Sequence, residues 1–442
     1  MTENKPYYNK EIVSQQIRQA NETQASLYLI FIGTKPCYIK LASLIHGMSK
    51  HNVPFLAIDV GQHYDRNLVS AQHELGFANH ISVYLKVQGS LTARTPLLAD
   101  RINWLFDLLK KEHRLNGQAI PVVSGDTSTA GLVPVFWYLQ EGGTSIHVEA
   151  GLRSYYPDVD WSSDVEEVLA MQSTCEWKMI KDAPFPEGFD TRIASVGCQL
   201  LFAPEEVNRQ NLINEGYCTS SIQLSGSLSS DAVQAIKSVK PERSVFEEYP
   251  FLSEGKWLRV DFHRRENMRP AQLKVLLEGL IMYMKEGGKI VFVMTNAVKA
   301  ALAQYEFESL FSTAINEGMQ VTPLWPEYAQ VIEFINSDRC IGIYTDSGGL
   351  QEESHIMNVK CATYRWNTDR PETINAIPSN VLVPPVSAKF IKTSLQLIFH
   401  EQKILTHIGK ERLYGDQVGL NIAAYLKQFS PIKPVLENAL SY

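Results

Sequence analysis

Cysteine is sparse: six residues, Cys37, Cys175, Cys198, Cys218, Cys340 and Cys361, are spread over 442 positions with no C-x-x-C pair. That scatter excludes a disulfide-stapled small fold and a cysteine-rich zinc module, and it reads as reduced, mostly buried thiols. No stretch reaches the ~20 continuous apolar residues of a membrane helix, so no membrane partner is expected. Positive charge is not in excess either, since 41 Lys and Arg stand against 48 Asp and Glu for a net charge of -7. That balance argues against nucleic acid as the main partner. The opening residues Met1-Thr2-Glu3-Asn4-Lys5 lack the apolar core of a secretion signal, and a cytoplasmic location is expected.

What is present is an ordinary globular composition, 45% hydrophobic and 20% charged, long enough for two or three domains. The chain is organised around Thr345-Asp346-Ser347-Gly348-Gly349-Leu350-Gln351-Glu352-Glu353, which follows the buried-strand run Cys340-Ile341-Gly342-Ile343-Tyr344. A strand that breaks at Asp-Ser-Gly-Gly and restarts as a helix aims backbone N–H groups and the positive helix end at one spot, which suits a phosphate. Ser347 can cap that helix, Gly348 and Gly349 allow close backbone approach, and a carboxylate such as Glu353 can grip ribose hydroxyls. An ordinary Gly-rich strand-to-helix turn has the same pattern.

Upstream, residues 6–25 read as a polar helix and 26–32 as a buried strand, and Gly33-Thr34-Lys35-Pro36 leads into a helix reaching about Lys50. A basic loop at a strand's carboxyl end is where open α/β sheets bind ligands, so Lys35 and Lys40 are candidates for a diphosphate or carboxylate. Two solvated lysines are the plain alternative. His63 lies in the polar loop after the strand 54–60 and is a candidate of the same kind. Residues 92–115 read as an amphipathic helix. Two further strands end in acids, Asp126 after 120–124 and Glu149 after 145–148. Asp126 in that position can also cap the next helix.

Taken together and in order, Gly33-Thr34-Lys35-Pro36, Gly125-Asp126-Thr127, His147-Val148-Glu149-Ala150-Gly151-Leu152-Arg153, Pro184-Phe185-Pro186-Glu187, His263-Arg264-Arg265-Glu266-Asn267, the 345–353 stretch and Asp369-Arg370-Pro371-Glu372 resemble the UDP-N-acetylglucosamine 2-epimerase family, in its non-hydrolysing bacterial branch. The resemblance implies an α/β chain of the GT-B type, with two Rossmann-like doubly wound domains facing a central cleft. The expected domains are 1–225 and 226–414, with a C-terminal helix in 415–442 packing back on the first and the boundary near the small polar stretch 225–230. It also implies Asp126, Glu149, Glu187 and His263 as catalytic residues. Lys35, Lys40, His63, Arg153, Arg264, Asp346, Ser347, Gly348, Gly349, Glu353 and Arg370 would bind the UDP-sugar. A homodimer needing neither metal nor cofactor is expected.

Departures from the family's pattern fall on the sugar side. Lys35 and Cys37 stand where the family has Arg and Glu, and lysine keeps the charge without the bidentate fork. The stretch 154–183, with Tyr155, Tyr156 and Trp161 beside several acids, is longer than the family's. It is expected to contact the sugar or a dimer partner. The leading reading is C2 epimerisation of UDP-N-acetylglucosamine or a related UDP-2-acetamido sugar. The alternatives are a hydrolysing epimerase, a GT-B glycosyltransferase or a nucleotide-sugar-binding protein.

Overall fold

The structure is a computed structural model that describes residues 5–61, 73–141, 143–181, 188–406 and 413–431. Contacts divide the chain into two units: Met1–Arg153, Lys181–Gln234 and Tyr414–Tyr442 form the first, Ser154–Ile180 and Ala235–Leu413 the second. In chain order, β1 (Tyr7–Tyr8), β2 (Leu27–Ile32), β3 (Phe55–Asp59), β4 (Ile81–Tyr84), β5 (Ala119–Ser124) and β6 (Ser145–Val148) belong to the first unit. The chain then enters the second unit with β7 (Tyr155–Pro157) and β8 (Trp177–Met179), and returns with β9 (Cys198–Ala203) and β10 (Ile222–Leu224). β11 (Trp257–Asp261), β12 (Ile290–Met294), β13 (Gln320–Pro323), β14 (Cys340–Thr345), β15 (Cys361–Thr363) and β16 (Asn380–Leu382) complete the second unit.

Among the described residues, the first unit's sheet has the order β1-β4-β3-β2-β5-β6-β9-β10 and is parallel except for β1. Every residue of β2 and of β5 is buried. Such strands are apolar on both faces because crossover helices cover the sheet on both sides. The second unit's sheet, β13-β12-β11-β14-β15-β16, is wholly parallel. Its core runs through Leu258, Val260 and Phe262 to Leu276, Leu277 and Leu280 of the helix Pro270–Lys285.

Three expectations meet a different structure. Within 6–25, Tyr7 and Tyr8 pair antiparallel with β4, and the helix is Lys10–Thr23, capped by the Asn9 side chain. The 92–115 helix is Leu91–Asp107 continued by a wider π turn over Leu108–Glu112. The boundary expected near 225–230 falls after Gln234. Ser227, Ser229 and Ser230 are buried at the start of the helix Leu228–Ile236, the Ser227 hydroxyl accepting from the Ser229 N–H at 3.2 Å. The division also differs from 1–225 in giving Ser154–Ile180 to the second unit.

Candidate functional site

Doubly wound sheets bind ligands at the carboxyl ends of strands where the order of succession reverses. In the first unit that reversal lies between β2 and β5, in the second between β11 and β14. The loops at those four strand ends are Gly33-Thr34-Lys35, Gly125-Asp126-Thr127, His263-Arg264 and Asp346-Ser347-Gly348. Of the residues marked in sequence, Lys35, Asp126, His263, Arg264, Asp346, Ser347 and Gly348 therefore lie at these switch points.

In the first unit Lys35 opens the helix Lys35–Lys50, and Lys40, one turn on, places its ammonium 2.5 Å from Glu149 Oε1. Glu149 is nearly buried and holds a backbone φ of 66°. A residue with a Cβ is uncommon in that left-handed region, and such strain gathers at functional sites. Its other oxygen lies over Gly125, 3.3 Å from where a Cβ would stand, next to Asp126. The Thr127 hydroxyl caps the following helix, accepting from the Ala130 N–H at 3.2 Å.

His147 supports this corner from below. It is fully buried, Nε2–H donates to the Gly125 carbonyl at 2.9 Å, and Nδ1 accepts from the Ser195 hydroxyl at 2.9 Å. Burial, opposed by the Gly125 bond and aided by Arg153, pushes its pKa down to about 4. His147 is thus neutral. Arg153 is placed elsewhere than expected: its buried guanidinium forks onto Glu215, with Nε 2.7 Å from Oε1 and Nη2 2.5 Å from Oε2. Arg153 thus braces the first unit through Glu215, whose Oε1 also accepts from Arg192 Nε at 3.3 Å. His63 and Glu187 lie outside the described residues.

In the second unit Asp346 is fully buried, and each oxygen accepts a backbone N–H, from His263 at 3.0 Å and from Arg264 at 3.0 Å. Asn267 Nδ2 adds a third bond at 3.2 Å, and His263 Nδ1 lies 3.1 Å from Oδ1. Asp346 therefore shapes the 263–267 loop from within, in place of the phosphate or ribose contact expected of it. The His263 ring is half exposed. Burial works against its charged form, but the Asp346 hydrogen bond and the charges of Asp346 and Asp261 outweigh that and raise its pKa despite Arg264.

Ser347 caps the helix Gly348–Met357, its hydroxyl accepting from the Leu350 N–H at 3.3 Å. A Cβ on Gly348 would stand 2.8 Å from Asp369 Oδ2, so glycine is required there by that carboxylate. Arg370 is buried, donating through Nη1 to Asp369 Oδ2 at 2.8 Å and reaching Glu352 Oε2 at 3.4 Å. Arg365 donates to the other Asp369 oxygen at 2.8 Å. Burial alone would raise the Asp369 pKa, yet Arg370, Arg365 and Arg264 hold it well below the usual carboxylate range. Arg365 and Arg370, paired with the buried acids Asp369 and Glu352, and Arg264 thus stand near a helix N-terminus. Glu353 is half-buried on the second turn of the helix.

Sequence reading did not mark Asp369, Arg365 or Glu352 as site residues. Asp369 and Glu352 did lie inside quoted motifs, and an acid directly before an arginine was the available signal; Arg365 gave none.

A family model described as UDP-N-acetylglucosamine 2-epimerase matches residues 180–427, more than half of the chain. The chain belongs to that family. Its members are isomerases. The chain is 28% identical over 373 residues to the UDP-N-acetylglucosamine 2-epimerase of Methanocaldococcus jannaschii, covering 82% of this chain and 90% of that protein. With the enzyme of the same name from Campylobacter jejuni it shares 25% over 429 residues, covering 88% and 94%. Among solved structures, M. jannaschii UDP-GlcNAc 2-epimerase in complex with UDP-GlcNAc and UDP matches with a TM-score of 0.70 at 25% identity, over 91% of this chain and 99% of that one. The Neisseria meningitidis epimerase structure, at 22% identity and a TM-score of 0.69 over 90% and 98%, shares the fold. The epimerase family's GT-B type, two Rossmann-like doubly wound units in one chain, is the fold of this protein.

Proposed function

We propose that the chain inverts C2 of UDP-N-acetylglucosamine, or of a close UDP-2-acetamido sugar, by eliminating UDP and adding it back. A base removes the C2 proton, the pair from that C–H bond forms the C1–C2 double bond, and the C1–O bond breaks with its electrons leaving on the UDP diphosphate. In return the diphosphate oxygen re-forms its bond to C1 while an acid delivers a proton to the opposite face of C2. No net oxidation occurs, so no redox cofactor enters the balance. Two faces need two titratable groups.

The observation that carries this reading is the placing of acids and cations at the two switch points. Asp126 and Glu149 stand at the ends of the adjacent strands β5 and β6, with the Lys40 ammonium 2.5 Å from Glu149 Oε1. In the second unit the start of helix Gly348–Met357, with Arg264, Arg370 and Glu353, takes UDP, and protonated His263 meets the charge that develops on the leaving diphosphate. Glu187 joins the proton transfer on the strength of the family resemblance. A sugar transferase needs no acids for both faces of C2.

The test is incubation with UDP-N-acetylglucosamine in heavy water, followed by NMR. The expected product is the UDP-linked 2-epimer carrying deuterium at C2, because the removed proton exchanges with solvent through an ionised side chain. Free UDP with a free 2-epimer sugar would assign the hydrolysing outcome. Consumption of substrate with no label at C2 would replace the reading with glycosyl transfer.

A further inference from the structure

Of the stretch 154–183, expected to meet a sugar or a second protomer, the structure binds Ser154–Ile180 into the second unit. β7 and β8 pair antiparallel, Val168 and Leu169 enter the unit's core, and Trp161 packs edge-on against Trp366 and Phe390. Two of its contacts have the form of strand pairing. The Tyr155 and Thr368 backbones exchange N–H···O bonds, each 2.8 Å. The fully buried Gln172 carboxamide accepts from the Leu382 N–H at 2.8 Å and donates to the Leu382 carbonyl at 3.0 Å. Leu382 ends β16, an edge strand, and the glutamine supplies the donor and acceptor that a seventh strand would have offered.

We infer that Tyr155 and Gln172 are positioning residues for nucleotide binding, latching at both ends the 368–382 segment that carries Asp369 and Arg370. The inference rests on the reading that the second unit takes UDP. The first latch point is Thr368 itself, whose hydroxyl accepts from the Arg370 N–H at 2.9 Å and donates to Gln351 of the capped helix at 2.6 Å. Gln351 Oε1 also accepts from Asn380 Nδ2 at 3.1 Å, so helix, segment and edge strand share one network. Asp369 touches Gly348 at the helix start, and Arg370 lies one residue on. A displacement of Thr368 by an ångström would move the carboxylate off Gly348 and the arginine off Glu352. Gln172 is itself fixed from outside the network: its own carbonyl accepts from Trp177 Nε1 at 2.8 Å. The segment that departs from the family's length is thereby a brace for the family's Asp-Arg-Pro-Glu motif.

Two variants of the full chain test this. Gln172→Met keeps length and packing while losing both bonds to Leu382, and Tyr155→Pro removes the N–H that Thr368 receives. Leu280→Ala, in the core of the same unit, controls for general loss of stability. Amide hydrogen exchange over residues 366–372 is read without nucleotide, and UDP affinity is read by calorimetry. The expected result is faster exchange in both latch variants and UDP binding weaker by about tenfold, as losing buried hydrogen bonds predicts, with Leu280→Ala binding like wild type. Unchanged exchange overturns the latch. Faster exchange with wild-type UDP affinity overturns the positioning role. A wild type that binds no UDP refutes the proposed nucleotide site and takes the positioning role with it, and the exchange data, obtained without nucleotide, separate that failure from failure of the latch.

Discussion

Glu149 is the residue at which local cost and the proposed proton transfer coincide. Its left-handed backbone costs roughly 1–2 kcal/mol for a side chain with a Cβ, and its half-buried partner Lys40 keeps one carboxylate oxygen at 2.5 Å. That conformation turns the carboxylate over Gly125 instead of along the sheet. Replacing Glu149 by Gln or Asp126 by Asn preserves shape and removes the ability to accept a proton. Each is expected to lower turnover by at least the ~100-fold typical of losing a general acid or base, while calorimetry shows UDP still bound; near-wild-type turnover in either would remove that residue from the proton path. Arg153 shows the opposite case at this scale. Its place in the Glu-Ala-Gly-Leu-Arg motif marked it for a ligand, and only the folded chain brought Glu215, distant in sequence, into a fork with it.

At the scale of elements, the unit that matters is a strand end, a capped helix and the loop tied to both. Asp346 joins them: it follows β14, precedes the Ser347 cap, and organises the 263–267 loop after β11. The pH dependence of this contact follows from two shifts. His263 titrates above its ordinary 6.5, so the stability it contributes is full below 6.5 and is lost as pH rises through the raised folded value. For Asp346, burial raises the pKa but the His263 contact and the Asn267 bond outweigh it, and the net shift is below the ordinary 3.8. Its contribution is present above 3.8 and is lost as pH falls through the lower folded value. The contact is therefore at full strength between those two ordinary values. If protonated His263 stabilises the leaving diphosphate, kcat falls as pH rises past its raised pKa. Asp346→Asn, which removes the charge and one acceptor of two N–H groups, is expected to move that fall to lower pH; an unchanged pH profile would take His263 out of the leaving-group role.

At the scale of the whole molecule, the chain closes its first unit with its own C-terminal region. The helix Val418–Gln428 packs on the helix Lys35–Lys50, and the Tyr28 hydroxyl of β2 donates to the Leu426 carbonyl at 2.7 Å. The two helices approach closely because Gly47 and Gly419 meet. A Cβ on Gly419 would stand 2.3 Å from the Ser43 carbonyl carbon, and one on Gly47 2.6 Å from the Gly419 oxygen. Gly419→Ala must push the helices apart at a cost of about 1–3 kcal/mol, the usual range for overpacking. Lys40 rides on one of these helices, so the variant is expected to lower both Tm and turnover, measured by thermal unfolding and by the NMR assay. A Tm equal to wild type would show that the contact is looser than these distances.

The sequence by itself determined the α/β class, the alternation of buried strands with helices, and the loops that carry the chemistry. It could do so because those are local facts: apolar runs mark parallel strands, and glycines and caps mark the turns at their ends. The motif order added the family. What only the tertiary structure decided is which marked groups have their charge spent on a partner. Asp346 inside a backbone cradle and Arg153 on Glu215 both depend on groups that meet across strands and loops. The tertiary structure likewise assigned the 154–180 segment to the second unit, because its pairing partners Thr368 and Leu382 lie about two hundred residues away in the chain, beyond the reach of any local pattern.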